Sequence, residues 1–265
     1  MANYDPSTDA NVMPADASRD LPWAQLQIPN YREMSLGAWA IRQTAPMLQW
    51  RYFHPELVTA SQYTLLAGDE SWMSTAPIEI EGQTQHVAAA YGQVVVMGAG
   101  LGVVLYNLLR KRQVTHVTLV ECDPDVITLL RQAADLEHWD GIGKLTVEIG
   151  DAFEYLSPMR VDCLYVDIWA KPADPQALAD TQRIQRNIQA RTVGWWTQEV
   201  FFLQWLEQCG VDRAPTLAHY QAWARAIDLP LIEQSNVDYM RCIARLATSG
   251  WYQELRRVEA LNHVR

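Results

Sequence analysis

Four apolar segments in the middle of the chain alternate with helical patterns, and this alternation constrains the fold more than any other feature. The segments are QVVVMG from Gln93, HVTLVE from His116, KLTVEIG from Lys144 and VDCLYVDI from Val161. They are nearly continuous apolar runs, as strands covered on both faces require. Strands joined by helices form a parallel sheet through right-handed crossovers. The pattern therefore predicts an α/β fold with a doubly wound, mainly parallel sheet, and RTVGWW at 191–196 is a candidate fifth strand.

The regions on either side of this core differ from it in composition and pattern. Residues 1–20 are rich in Asp, Ala, Pro and Ser and have no apolar periodicity, which predicts a flexible tail or an arm that only a partner orders. Residues 21–90 predict a small mixed subdomain that helps to form the substrate site. Residues 91–210 form the predicted core, and residues 211–265 predict a helical appendage.

Within these regions the periodicity predicts individual elements. A helix is expected near 35–45, and short strands are expected at 62–67 and 77–81. A short helix is expected at AFEYL, after the third core strand. The appendage predicts helices at 216–226, 237–248 and 250–262.

Charge and cysteine content narrow the classes of function. There are 31 Asp and Glu residues against 21 Lys and Arg, a net charge of −10 with no basic patch, so binding to nucleic acid or an anionic membrane is not expected. The four cysteines have no CxxC spacing and no neighbouring histidine pair, so no disulfide framework or metal site is predicted.

The sequence also gives expectations for the cellular location and the oligomeric state of the protein. No apolar run reaches the ~20 residues of a membrane-spanning helix, and the N-terminus lacks a signal-peptide pattern, so a cytoplasmic location is expected. The helices after Gly210 have more apolar surface than a short appendage can bury alone, which favours a homodimer.

A glycine-rich turn, VVVMGAGLG, connects the first core strand to a helix. Gly98, Gly100 and Gly102 are suited to a sharp backbone turn and to close approach of a ligand to peptide N–H groups. The pattern by itself is weak, because it also arises by chance and in nicotinamide dinucleotide enzymes. In those enzymes the third glycine follows the second by three residues, whereas Gly102 follows Gly100 by two. The turn therefore indicates a nucleotide-type cofactor other than NAD.

Three acidic residues follow the next core strands. Glu121 ends the second strand at the spacing where a carboxylate accepts hydrogen bonds from both ribose hydroxyls. Asp123, directly before Pro124, is interpreted as a helix N-cap. Asp151 follows the third strand, where it can accept a hydrogen bond from the adenine amino group, or cap the AFEYL helix, or do both.

Asp167 closes the fourth strand and projects above the carboxyl ends of the sheet, where ligands bind in such folds. This position predicts a role in the site. Asp167 either orients the amino group of the cofactor or accepts a proton from the acceptor.

Together these segments resemble the class I S-adenosylmethionine-dependent methyltransferase superfamily, and more narrowly its spermidine synthase-like branch. The resemblance covers about Gln93 to Gln208 and rests on MGAGLG, LVECDPDVI, GDAFEYL and LYVDIW. Val96 stands where ordinary methyltransferases have an acid, which is typical of this branch, and SQYTLLAGDESWMST resembles its N-terminal strand and turn. The resemblance implies S-adenosyl-L-methionine as cofactor and adds Ala99, Cys122 and Ala152 to the cofactor-binding residues.

The chain departs from spermidine synthases after the fourth strand. Those enzymes have a loop with two acidic residues that hold and deprotonate a polyamine, whereas this chain reads Asp167, Ile168, Trp169, Ala170, Lys171. The second acid is missing, so a polyamine acceptor is in doubt. The C-terminal helices also replace the strand hairpin that is usual in both families.

The predicted function is transfer from S-adenosylmethionine to a small molecule, with methyl transfer as the commonest outcome in the superfamily. Attack on the other arm, which releases methylthioadenosine through aminopropyl or aminocarboxypropyl transfer or cyclisation, is the first alternative. A non-catalytic cofactor-binding protein is the second. The predicted substrate pocket contains Tyr63, Trp72, Glu79 and Trp169, since aromatic faces attract sulfonium and ammonium groups.

Overall fold

The computed structural model describes residues 24–211, 214–232 and 237–262 of the 265-residue chain. The tail predicted at residues 1–20 lies outside the described residues. The described part forms two β-sheets and a group of C-terminal helices.

The first sheet has four antiparallel strands in the order β1-β2-β3-β4. Their bounds are β1 Met34–Leu36, β2 Trp39–Gln49, β3 Val58–Ala67 and β4 Glu70–Ser74. Strand β2 pairs with β3 along most of its length, with an irregularity between Thr44 and Met47. Ile41, Tyr63 and Leu65 are buried, so one face of this sheet packs on the rest of the protein.

The second sheet is the predicted parallel sheet, with the strand order β7-β6-β5-β8-β9. Its strands are β5 Gly92–Met97, β6 Val114–Glu121, β7 Leu145–Ile149, β8 Cys163–Val166 and β9 Thr192–Trp195. Its helices are α2 Val103–Arg110, α3 Pro124–Ala133, α4 Ala177–Ile188 and α5 Gln198–Gln208. All strand pairs are parallel, and the order reverses at β5, which places the ligand crevice at the carboxyl ends of β5 and β8.

Both faces of the parallel sheet are covered, as the apolar runs predicted. Val94 and Val96 of β5 belong to one core cluster, while Val95 and Met97 belong to the cluster on the opposite face. Successive side chains of a strand point to opposite faces, so a strand between two cores is apolar at every position.

The helix predicted near 35–45 is wrong. Strands β1 and β2 occupy this region and are joined by a turn at Gly37, which has a φ of +57°. Ala, Arg and Gln give the segment a high helix propensity. Pairing of β2 with β3 and burial of Ile41 outweigh that propensity.

The strand predicted at 77–81 is also wrong, because this segment begins helix α1, Pro77–Ala89. Pro77 stands in the first turn, where its missing N–H costs nothing. Nine of the 13 residues of α1 are buried, so the helix has no amphipathic stripe, and the alternation of Ile78 and Ile80 resembled a strand.

The short helix predicted at AFEYL is a turn. The Asp151 carboxylate accepts a hydrogen bond from the Phe153 N–H at 2.8 Å, and the Tyr155 N–H bonds to the Asp151 carbonyl at 3.1 Å. The helical bonding stops after this turn. Asp151 therefore caps a turn and not a helix.

The helical appendage is confirmed, and its helices are α6 Leu217–Ala226, α7 Val237–Thr248 and α8 Gly250–Asn262. Before α7, Leu231 forms a parallel bridge with Val193, and the Val193 N–H donates to Pro230 O at 2.9 Å. This short segment covers part of the free edge of β9. No helix in the described parts of the chain is both long enough and apolar enough to cross a membrane.

Candidate functional site

A cavity of about 260 Å³ lies at the carboxyl ends of β5, β6, β7 and β8, with residues of the antiparallel sheet on its other side. Its lining includes all of the predicted cofactor-binding residues except Gly102. The predicted residues in the lining are Gly98, Ala99, Gly100, Glu121, Cys122, Asp151, Ala152 and Asp167. One cavity therefore brings together side chains that are far apart in sequence.

The glycine turn adopts the backbone conformation that was predicted, but the protein itself fills the space beside it. Gly98, Gly100 and Gly102 have φ values of +92°, +48° and +73°. A Cβ at Gly98 would collide with the carbonyl of Asp167, and a Cβ at Gly100 would collide with the Met73 sulfur. These two glycines are required for packing of the turn against β8 and β4, as well as for its sharp bend.

The N–H groups of this turn are largely used within the protein. Four of the five N–H groups at 98–102 donate to protein acceptors. The bonds are Gly98 to Val120 O (2.9 Å), Ala99 to Glu121 Oε2 (2.8 Å), Leu101 to Met73 Sδ (3.1 Å) and Gly102 to Ala99 O (2.8 Å). The turn therefore has few free donors for an anionic group of a ligand.

Glu121 is buried at the end of β6 and lines the cavity. Its Oε2 accepts from the Ala99 N–H at 2.8 Å, and its Oε1 accepts from the Asp123 N–H at 2.9 Å. The carboxylate thus joins the glycine turn to the start of α3. Each oxygen retains further acceptor capacity, so a ribose hydroxyl can share it.

The interpretation of Asp123 as a helix cap is confirmed. Its carboxylate accepts from the Asp125 N–H at 2.9 Å at the start of α3. The other oxygen accepts from Trp39 Nε1–H at 2.7 Å. Trp39 lies 5.7 Å, centroid to centroid, from Trp72, and both rings line the cavity. The cap therefore also fixes an aromatic wall that belongs to the antiparallel sheet.

One face of α4 holds the loops that follow β7 and β8. Asp180 accepts from Trp169 Nε1–H at 2.9 Å. The Arg183 guanidinium lies 4.5 Å from the centroid of the Phe153 ring, and Asn187 Nδ2–H donates to Phe153 O at 2.8 Å. The three α4 residues follow one another at spacings of three and four, so they share one helix face. Both aromatic rings that they hold line the cavity.

Asp167 forms a polar corner of the cavity with residues from α1 and β8. Its Oδ2 accepts from Gln83 Nε2–H at 3.3 Å and from Tyr165 O–H at 3.4 Å. Burial, together with the nearby charge of Glu79, raises the pKa of Asp167 to about 8. Burial also raises the pKa of Glu79 to about 7, although hydrogen bonds from Ser74 partly oppose this. A carboxylate pair of this kind binds a proton or a cation readily near neutral pH.

Gln83 adds an unused acceptor to this corner. The residue is fully buried on α1 and lines the cavity. Its Oε1 has no hydrogen-bond partner among the described residues. Buried polar atoms are almost always paired, so this oxygen indicates a ligand group that donates a hydrogen bond.

The predicted substrate residues have different positions. Trp72 and Trp169 line the cavity, while Tyr63 and Glu79 are not among its lining residues. Tyr63 is buried against Tyr31, with ring centroids 5.1 Å apart. Glu79 acts on the cavity through its effect on Asp167.

Several lining residues were missed by sequence reasoning, among them Trp39, Met73, Gln83 and Tyr165. The first three belong to β2, β4 and α1, where no local motif marks a site. Tyr165 is part of LYVDIW, and its position two residues before Asp167 is the one available signal, since residues two apart in a strand point the same way.

The charged side chains in the described lining are all acidic. They are Glu121, Asp151 and Asp167, and no lysine or arginine is among the described lining residues. An acidic site favours a cationic ligand and offers no side-chain partner for a carboxylate.

Residues 80–190 match the spermine/spermidine synthase domain family. This part of the chain, which is less than half of its length, is thus similar to that family. This agrees with the five-stranded parallel core. No curated protein matches the chain.

Solved structures share parts of the fold. The S-adenosylmethionine-dependent methyltransferase from Thiobacillus denitrificans, in complex with S-adenosyl-L-homocysteine, is 20% identical over 41% of this chain and 43% of its own, with a TM-score of 0.32. The dimethyladenosine transferase from Plasmodium falciparum is 24% identical over 29% of this chain and 26% of its own, with a TM-score of 0.24. This chain therefore spans less than half of either protein.

Proposed function

We propose that the protein is an S-adenosylmethionine-dependent transferase that alkylates an amine nitrogen of a small molecule. The observation that carries this proposal is the pair of buried residues Asp167 and Gln83 in the cavity lining. A carboxylate beside an unpaired amide oxygen suits a group that is both cationic and a hydrogen-bond donor, and the nearby charge of Glu79 adds to the negative potential at Asp167.

The remaining residues of the cavity suit the adenosyl part of the cofactor. Glu121 would accept hydrogen bonds from the ribose, and Asp151 with the Ala152 N–H would recognise the adenine edge. Phe153 and Trp169, held by α4, would pack against the flat base. The acidic lining matches the positive charge of a sulfonium.

Asp167 supplies the proton acceptor. An amine that arrives as an ammonium transfers one proton to the Asp167 carboxylate, which frees the nitrogen lone pair. A base with a pKa of about 8 is well matched to this task near neutral pH. When bound, S-adenosylmethionine supplies an electrophilic carbon, at which the new bond to nitrogen forms as the carbon–sulfur bond breaks and its electron pair stays on sulfur. The alkylated nitrogen leaves as an ammonium.

Two features favour transfer of the longer arm, with release of methylthioadenosine. Four of the five N–H groups of the glycine turn donate hydrogen bonds within the protein, and the described lining has no basic side chain. The carboxylate of intact S-adenosylmethionine would therefore find few partners, and an arm that lacks this carboxylate fits better. The family match at residues 80–190 supports the same reaction.

Methyl transfer, which the sequence analysis ranks first, is the second candidate. It is favoured by the loop after Asp167, which has Trp169 and Lys171 in place of the second acid of spermidine synthases. A protein that only binds the cofactor is the third candidate, and the proton-accepting corner weighs against it because binding alone requires no base.

Product analysis tests the proposal. The protein is incubated with S-adenosylmethionine, or with its decarboxylated form, and a panel of amines, and the products are identified by mass spectrometry. Methylthioadenosine with an alkylated amine is the expected result, and S-adenosylhomocysteine would establish methyl transfer. Unchanged cofactor that nevertheless binds in calorimetry would establish the binding protein. Binding of NAD without any S-adenosyl compound would overturn all three candidates.

A further inference from the structure

The cavity has one polar corner, at Asp167, and most of its other lining side chains are apolar. Once Glu121, Asp151 and the glycine turn are assigned to the cofactor, the remaining lining includes six side chains from β3, β4, α1, β8 and the residue after Asp167. They are Leu65, Trp72, Met73, Gln83, Tyr165 and Ile168. Gln83 and Tyr165 bond to Asp167, while the other four are apolar.

We propose that the acceptor is a monoamine whose single cationic nitrogen is attached to an apolar or aromatic body, and not a linear polyamine. This inference rests on the proposed function and names the substrate class of the same site. The nitrogen lies in the corner of Asp167 and Gln83, where the carboxylate takes its proton. The body packs against Trp72 and Leu65.

Once Glu121 and Asp151 are assigned to the cofactor, no carboxylate besides Asp167 remains among the described lining residues for a second cationic group, since Glu79 is not one of them. In the segment that follows Asp167, the one acid is Asp174, which accepts from the Gln176 N–H at 2.9 Å and is not a lining residue. Lys171, in the same segment, is exposed and adds a positive charge. An aromatic face attracts an ammonium, but this attraction offsets only part of the cost of desolvation.

The apolar wall is held in a fixed position by contacts outside the cavity. Trp72 packs against Trp39, whose N–H is bound by the Asp123 carboxylate at 2.7 Å. Met73, the next residue, accepts from the Leu101 N–H at 3.1 Å through its sulfur. The wall is therefore unsuited to rearranging around a second ammonium.

The test compares phenethylamine and tryptamine with putrescine and cadaverine on the full chain. Binding is measured by calorimetry without cofactor, and product formation is measured by mass spectrometry with both cofactor forms. We expect the arylalkylamines to bind and react at least about tenfold better than the diamines, the discrimination that an apolar pocket provides. Equal or better binding and transfer with the diamines overturns the inference and leaves the proposed function intact.

A pair of variants at Trp72 sharpens the test. Trp72→Glu places an acid on the apolar wall and should shift the ratio of diamine to monoamine turnover upward by about tenfold or more. Trp72→Phe keeps an aromatic face and should leave the ratio near that of the parent. An unchanged ratio in a folded Trp72→Glu protein overturns the inference, and if this variant does not fold, the parent's own preference decides. Absence of both cofactor binding and transfer overturns the proposed function first, and this inference with it.

Discussion

Two carboxylates follow the strands on either side of β5, and the protein satisfies them in different ways. Glu121, at the end of β6, accepts from two backbone N–H groups at 2.8 and 2.9 Å. Asp167, just after β8, accepts from two side chains at 3.3 and 3.4 Å, and the nearby charge of Glu79 contributes to its raised pKa. The first acid is part of the backbone framework, whereas the second is held in an environment that disfavours its charge.

This difference indicates that Glu121 contributes to stability, whereas Asp167 is retained for function. Glu121 joins the glycine turn to α3, so a cofactor must share a carboxylate that the fold already uses. The ionised form of Asp167 costs stability, because it is buried close to a second acid. Such a cost persists at sites where a ligand or a reaction needs the group. Replacing each acid should therefore have opposite effects on stability.

The largest expected effect is that of Asp167→Asn on turnover. Removal of the proton acceptor should lower turnover by at least about a hundredfold, since a positioned base contributes about 10²- to 10⁴-fold. The melting temperature at pH 8 should stay the same or rise, because the charge facing Glu79 is gone. Single-turnover kinetics and thermal unfolding measure the two effects.

Asp174→Asn is the matched control, because Asp174 lies in the same segment but not in the cavity lining. It should retain the parental rate. If Asp167→Asn keeps more than half of the parental turnover, Asp167 has no part in the mechanism.

The next effect is that of Glu121→Ala on cofactor binding. Loss of the ribose acceptor should weaken binding by about 10- to 150-fold, which corresponds to ~1.5–3 kcal/mol for charge-assisted hydrogen bonds. The melting temperature should fall as well, because the N–H groups of Ala99 and Asp123 lose their acceptor. Calorimetry with S-adenosylhomocysteine measures the affinity. A lower melting temperature with parental affinity would show that Glu121 is structural only.

The residues that could be predicted from sequence are those whose position follows from one strand and its turn. Glu121, Asp151 and Asp167 each follow an apolar core strand, and the carboxyl ends of parallel strands meet at one edge of the sheet. The cap at Asp123 was equally readable, because a cap depends on its neighbours along the chain. Local sequence was sufficient to predict that these residues lie together along the cavity.

The side of the cavity formed by α1 and the antiparallel sheet could not be predicted in the same way. Gln83 lies on α1, which is buried on most sides and so lacks the periodicity that marks a helix. Trp39 reaches the cavity through β2, which was predicted as a helix because its propensity is helical. Its position depends on pairing with β3, a long-range contact that local patterns do not encode.

A smaller effect is expected from the face of α4 that holds the aromatic loops. Asp180→Ala removes the acceptor for Trp169 Nε1–H and should weaken methylthioadenosine binding by about fivefold, the value of one net hydrogen bond of ~1 kcal/mol. Asp180→Asn retains an oxygen acceptor and should restore most of the affinity. Arg186→Ala, exposed on the same helix, is the control and should bind as the parent does. Equal affinity for all three variants would show that Trp169 does not contact the nucleoside.

The smallest effect is the pH dependence of stability, and its sign follows from the raised pKa values. The pKa of Asp167 is about 8 and that of Glu79 about 7 in the folded protein, against 3.8 and 4.5 as their ordinary values. The folded state therefore binds these protons more tightly than the unfolded chain does. Stability from this source is complete below about pH 4 and is lost as the pH rises through 7 to 8.

Two other buried groups also change the stability with pH, so they determine the pH range in which this prediction can be tested. Burial raises the pKa of Glu199 to about 7, which gives the same sign, and lowers the pKa of His86 to about 3, which gives the opposite sign below its ordinary value of 6.5. Thermal unfolding is therefore followed from pH 7.5 to 9, where His86 is almost entirely neutral in both states. The parent should lose about 2–6 °C in melting temperature over this range, and Asp167→Asn should lose less, since ~1 kcal/mol corresponds to about 2–4 °C in a chain of this size. Identical slopes for the two proteins would mean that Asp167 is ionised at little cost, and the contrast with Glu121 would then rest on hydrogen-bond geometry alone.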